Sequence, residues 1–219
     1  MSGYFPLLLP IKTLFMKQKL IILFLFGTIV TSISAQNSLD RITIGLKGGL
    51  NISELKSSNP NEKSLTGLLG GIFVSVPVSN RFSCQPEIVY AQMGGKYSTD
   101  GTAWATLPSS SISFYLKYID VPVLLKYRIN KSNFSLLAGP QVSFLLSAKS
   151  EVLNESYDVK SIFKGTDIRS VFGAEYILLK GFNISARYQL GILNINSSSS
   201  STVKNNAFSF TLGYTLDSK

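Results

Sequence analysis

Eight charged residues fall inside stretches that otherwise alternate apolar and polar: Lys47, Glu87, Asp120, Lys126, Arg128, Arg169, Glu175 and Arg187. Such a set could move protons between carboxylates, attract an anion, or neutralise itself in ion pairs. The chain has no histidine. That removes Ser-His-Asp and Cys-His catalysis, histidine-held zinc and histidine-held haem. A lipid-cleaving serine enzyme would lack its usual base. The one cysteine, Cys84, lies on the apolar side of its stretch and cannot form an intrachain disulfide; it reads as a small apolar residue. No glycine cluster has the strand–GxGxxG–helix setting of a nucleotide loop. No enzymatic activity, catalytic residue, cofactor or metal is expected. The eight charges are expected to form a buried polar network, because an unpaired buried charge is costly. The alternative is a narrow passive pore in which Lys47, Lys126, Arg128, Arg169 and Arg187 give a weak anion preference.

The elements that position these charges are clearest from Tyr115 to Ala148. In YLKYIDVPVLLKYR the odd positions Ile119, Val121, Val123, Leu125 and Tyr127 are apolar, and the even ones include Tyr118, Asp120, Lys126 and Arg128. After INKSN, the even positions Phe134, Leu136, Ala138, Val142, Phe144 and Leu146 are apolar, with Ser135, Gln141, Ser143 and Ser147 between them. A period of two puts the two sets on opposite faces of a strand, so this is a hairpin. Six further strands read the same way: Ile42 to Ser53, Thr66 to Pro77, Arg81 to Tyr97, Asp167 to Leu178, Gly181 to Asn194 and Asn206 to Leu216. The expected fold is all-β: an eight-stranded antiparallel up-and-down barrel. In-strand glycines suit its closure, and bulges are expected near Pro86, Pro122 and Pro140 because proline cannot donate to the ladder.

Within the central part of every strand the apolar face is free of charge. Lys117, near a strand start, is the exception and is expected at a rim. A soluble lipocalin-like barrel would turn that face inward around a ligand. A membrane barrel turns it to lipid, where a lysine or arginine at mid-bilayer costs about 2–4 kcal/mol. Two features favour the membrane. The connections alternate: Glu54 to Leu65, Ser98 to Phe114, Glu151 to Thr166 and Ile195 to Asn205 are long and polar, whereas Val78 to Asn80, Ile129 to Asn133 and Leu179-Lys180 are short. Outer-membrane barrels have short periplasmic turns and long outer loops. Phe82, Tyr127, Phe134, Tyr176, Phe182 and Tyr214 then fall together at the short-turn end, as a periplasmic aromatic girdle would.

The N-terminus fits export. Met16-Lys17-Gln18-Lys19 is basic, Leu20 to Val30 is apolar, and small residues lead to Ala35. This is the layout of a secretory signal peptide cleaved after Ala35, with Met16 a second possible start. Residues 1–35 form one unit and 36–219 the barrel domain. Of the net charge of +9, three lysines lie before residue 36. The remaining cations are scattered, with no basic run, so no nucleic-acid partner is expected.

The stretches YIDVPVLLKYRI (Tyr118 to Ile129), LLAGPQVSFLL (Leu136 to Leu146), GAEY (Gly173 to Tyr176), ARYQLGILNI (Ala186 to Ile195) and GLKGGLNIS (Gly45 to Ser53) resemble the PorT-like outer-membrane β-barrel family of Bacteroidetes. The resemblance covers nearly all of residues 36–219. It implies an eight-stranded barrel in a Gram-negative outer membrane, with no known catalytic residues. The family's named member is associated with a secretion and gliding system. The end Asp217-Ser218-Lys219 departs from barrels that finish on an aromatic. The implied partners are outer-membrane lipid, the barrel-assembly machinery and an unidentified envelope protein. An eight-stranded interior is just filled by side chains, so binding is expected at the long loops.

Overall fold

Strands long enough to cross a bilayer at a slant carry this chain, and side-chain alternation decides which way each is turned. The computed structural model describes residues 42–57, 62–98, 111–130, 132–152, 155–179, 181–198 and 201–216. The stretch read as an export segment with its expected cleavage site, parts of all four long connections, residues 131 and 180 in two short turns, and the last three residues lie outside the described residues. Nine strands are present among those described: β1 (Thr43–Lys56), β2 (Glu62–Pro77), β3 (Phe82–Ser98), β4 (Ser111–Arg128), β5 (Phe134–Val152), β6 (Glu155–Asp158), β7 (Thr166–Leu179), β8 (Phe182–Gly191) and β9 (Lys204–Leu216). Every pairing is antiparallel, each barrel strand pairs with its neighbours, and β1 pairs with β9. That last pairing closes eight strands into a barrel without edges. The short β6 pairs only with β5, beyond the point where β5 pairs with β7.

The apolar faces point outward. Ile44, Leu46, Leu50 and Ile52 on β1 are exposed, as are Phe208, Phe210, Leu212, Tyr214 and Leu216 on β9. Between them Asn51, Ser53, Ser209 and Thr211 are buried. The soluble, inside-out alternative is overturned by this arrangement: a lipocalin-like barrel would bury the first set. A wall of exposed aliphatic and aromatic side chains is stable where the surrounding medium is itself apolar.

Glycines let the barrel close tightly at two places. A β-carbon on Gly49 would stand 1.9 Å from the Phe210 carbonyl oxygen, and one on Gly71 2.2 Å from the Ile88 carbonyl oxygen. Both glycines allow neighbouring backbones to approach closer than any side chain permits. The short turns use left-handed backbone, at Asn130 (φ 47°) between β4 and β5 and at Gly181 (φ 89°) before β8.

Four expectations change. The connection read as Glu54 to Leu65 shrinks to residues 57–61, because β1 and β2 run on. Leu55 and Leu65 turn inward and are buried while the charged residues around them face out, so a polar stretch there is strand, not loop. The strand expected to reach Asn194 stops at Gly191, and residues 192–203 connect it to β9. The register passes Pro86, Pro122 and Pro140 without a shift. Losing one donor removes a ladder bond but does not require an extra residue. The irregularities fall instead at Ser64/Leu69, Lys117/Tyr118 and Ile177/Leu179. The second of these puts an additional β5 residue, Leu146, between Ser147 and Leu145 opposite consecutive residues of β4. Side-chain parity therefore switches, Ala148 points inward, and Ser147, expected inward, does not.

Candidate functional site

Among the described residues the lumen holds a polar layer, which encloses a small apolar cluster of Leu124, Leu137 and Val171, and a larger apolar layer. In the polar layer β1, β3 and β8 bring Lys47, Glu87 and Arg187 together. The Arg187 guanidinium donates to both Glu87 carboxylate oxygens at 3.0 and 2.9 Å, and Lys47 pairs with the same carboxylate. Gln85 donates to Glu87 at 2.8 Å. Nearer the short turns, Lys126 on β4 pairs with Glu175 on β7. On the other side of the triad, Arg169 donates to Asp167 at 2.7 Å and lies 3.6 Å from Asp120. Its guanidinium carbon stands 4.9 Å from the Tyr118 ring centre, a cation–π contact in a water-poor setting.

Four cations thus meet four carboxylates. The Glu87 cluster is one positive charge in excess, the Arg169 cluster one negative, and the Lys126 pair neutral. Seven of the eight residues singled out by sequence enter these contacts, in three groups rather than one. Arg128 lies at the short-turn mouth, where it lines an open vestibule of about 480 Å3 with Lys126 and Glu175. Sequence reading missed Asp167, which supplies the closest carboxylate to Arg169. Its position at a strand start hides it, although it lies two positions from Arg169 and so shares its face. Gln141 and Gln189, joined at 3.2 Å, tie the Arg169 cluster to the wall.

The apolar layer fills the long-loop half of the lumen. Leu55, Leu69, Val89, Ala91, Met93, Leu116, Tyr118, Leu145 and Ala148 from the strands pack with Phe163 and Ile195 from the connections. Phe163 follows a single 3-10 turn (Lys160–Ile162), and a bridge between Phe163 and Asn196 holds the two connections together over the barrel. The long connections, expected to be polar outer loops, therefore also send side chains back inside. Between the charge clusters and this layer lies a gap of about 20 Å3, room for about one water.

On the outer wall the six girdle aromatics form three directly opposed cross-strand pairs at the short-turn end: Phe82 with Tyr127, Phe134 with Tyr176, and Phe182 with Tyr214. The ring centres are 5.0 Å apart in the first and 4.7 Å in the third, separations at which aromatic pairs attract. Towards the long-loop end Phe172, Tyr188 and Phe208 adjoin on three consecutive strands, and Tyr90 and Phe144 flank Ile119. Sequence reading had named aromatics at one end only.

Residues 34–197 match the family model described as outer membrane protein beta-barrel domain. The chain belongs to the outer membrane protein β-barrel family. No curated protein matches it. Among solved structures, the barrel is similar to the attachment invasion locus protein Ail of Yersinia pestis, at 17% identity over 81% of this chain and 100% of that one, with a TM-score of 0.46. It is also similar to Neisserial surface protein A, at 14% identity over 80% and 99%, with a TM-score of 0.49. The outer membrane protein OprG of Pseudomonas aeruginosa is similar at 15% identity over 80% and 96%, with a TM-score of 0.40. The outer-membrane barrel assignment stands on the family match and on the closed strand order with its outward apolar wall. The protein is a small eight-stranded barrel of the outer membrane.

Proposed function

We propose that this barrel does not conduct and that it acts through its long connections, which face the cell exterior. The packed lumen carries the reading. A balanced layer of ion pairs lies beneath an apolar layer that two connections help to build, and the gap between them is about 20 Å3. A solute would have to part buried ion pairs and then cross a dry plug. Within the ion-pair layer the four cations are matched by four carboxylates, which argues against an anion-selective pore.

The remaining parts of the reading rest on sequence. The aromatic pairs at the short-turn end are a periplasmic girdle, which places both ends of the described chain on that side. The first 35 residues are a signal peptide removed on export. The stretches Tyr118 to Ile129 and Leu136 to Leu146 support a place among the PorT-like barrels of Bacteroidetes. Outer-membrane lipid, the assembly machinery and an envelope protein are the partners this reading implies.

Planar-bilayer recording of the purified full chain tests the closed lumen. The expected result is a flat baseline at moderate voltage. A variant with Leu116→Gly and Leu145→Gly, which empties part of the apolar layer, is expected to show brief openings. Long-lived, uniform conductance steps in the unaltered protein would overturn the proposal.

A further inference from the structure

Lysines that the ion-pair layer does not use gather on the outside of the barrel. Lys56 ends β1, Lys63 is the second residue of β2 after Glu62, Lys96 is near the end of β3, Lys149 is near the end of β5, and Lys204 begins β9. All are exposed; Lys56, Lys96, Lys149 and Lys204 each adjoin a buried residue (Leu55, Gly95, Ala148 and Asn205), and Lys63 pairs directly with Lys96 and so shares its face. They therefore stand on the outer face, at the long-loop end, above the apolar band. Lys117 joins them lower on β4, beside Gln92 and Ser147, on a part of the wall that is no longer apolar.

Their pairing is unusual. Lys56 lies directly opposite Lys204, and Lys63 directly opposite Lys96. Like charges opposed across two strands destabilise a sheet. Three carboxylates share this face, Glu54, Glu151 and Asp158, yet none of the six lysines makes an ion pair with a described carboxylate. Two directly opposed lysine pairs, none of whose lysines is ion-paired to a described carboxylate, form a surface that an external anion would complete. The position names the anion. Just above an apolar wall with aromatics at its upper margin, the neighbouring charged layer is that of lipid headgroups, and cations there are attracted to anionic lipid.

We infer that this lysine collar binds the phosphate groups of phosphorylated lipids in the outer leaflet, with Lys56/Lys204 and Lys63/Lys96 as two two-lysine clamps. Lysine serves here as a compact point charge with three donors, suited to a headgroup that need not be held in one orientation. The inference rests on the long connections facing outward.

The test uses the purified full chain in uncharged detergent micelles, titrated with bis-phosphorylated lipid A and followed by lipid retention in native mass spectra. The unaltered protein is expected to retain lipid A and to lose it as salt rises. Changing Lys56, Lys204, Lys63 and Lys96 to glutamine is expected to weaken retention by at least about tenfold. Changing the same four to arginine, which keeps the charge, should preserve it. Heat-dependent gel mobility checks that each variant is folded. Equal retention by the glutamine variant, equal binding of lipid A stripped of its phosphates, or competition by millimolar inorganic phosphate would overturn the inference. A micelle has no inside and outside, so failure here is distinguishable from failure of the outward-loop reading, which labelling of loop residues on intact cells reports.

Discussion

Replacing Arg169 by alanine is expected to destabilise the folded barrel by about 3–5 kcal/mol. Arg169 is fully buried, and so is Asp167, with Asp120 nearly so. The guanidinium is the cation that both carboxylates face, at 2.7 and 3.6 Å. Without it, two carboxylates remain in the lumen with little water to solvate them. The cost of losing one partner exceeds the worth of the pair, because the leftover charge keeps its desolvation penalty. The cluster also bears on its neighbours, since its excess negative charge offsets the excess positive charge around Glu87. A triple variant, Asp120→Asn, Asp167→Asn and Arg169→Leu, removes the charges together and is expected to recover most of the loss. Urea unfolding in micelles, read from the fraction of heat-sensitive folded band, measures both. An alanine variant that unfolds at the same urea concentration as the unaltered protein would show that these groups are solvated and the lumen open.

Arginine in place of Leu212 is expected to cost about 2–4 kcal/mol in a bilayer. Leu212 lies on the outer wall between the girdle residue Tyr214 and the upper aromatic Phe208, opposite Gly48 on one side and Ile184 on the other. With 53% of its surface exposed, its neighbours in the protein cannot solvate or pair an arginine. The same change at Ile42, ahead of β1 at the short-turn end, is expected to cost only about 0–1 kcal/mol because its head can reach water. Reversible unfolding in phosphocholine vesicles compares the two. Equal, small effects at both positions would mean that the wall is not held in a lipid interior.

The barrel was legible because a period of two is strong where one face must be uniform. In β8 the set Phe182, Ile184, Ala186, Tyr188 and Leu190 faces lipid, and Asn183, Ser185, Arg187 and Gln189 face the lumen; nothing else in the chain competes with that pattern. The ion-pair layer was legible for the same reason, since an inward charge on a narrow barrel needs a partner. Which charges meet was not legible. The meeting of Lys47, Glu87 and Arg187 depends on strand stagger and on three strands that are distant in sequence. The apolar layer was missed because it breaks the rule that located the strands. Leu69, Val89, Leu116 and Leu145 lie on faces that read as polar further along, and their partners Phe163 and Ile195 lie in connections. A trace exists in the sequence: Leu68-Leu69, Val89-Tyr90-Ala91 and Leu145-Leu146 are apolar on both faces near the long-loop ends. Such a run signals a strand buried on one side and bathed in lipid on the other. The extra residue at Leu146 shifts parity at a point that neither glycine nor proline marks.

The most direct test of the closed barrel is its electrophoretic mobility after mild extraction from an outer-membrane fraction, compared without heating and after boiling. Eight strands closed by the β1–β9 pairing, with an ion-paired lumen, should resist the detergent until heated and migrate faster unheated. Identical mobility in both lanes, with the protein recovered from the soluble periplasm, would contradict the account, because the exposed apolar wall could then not be facing lipid.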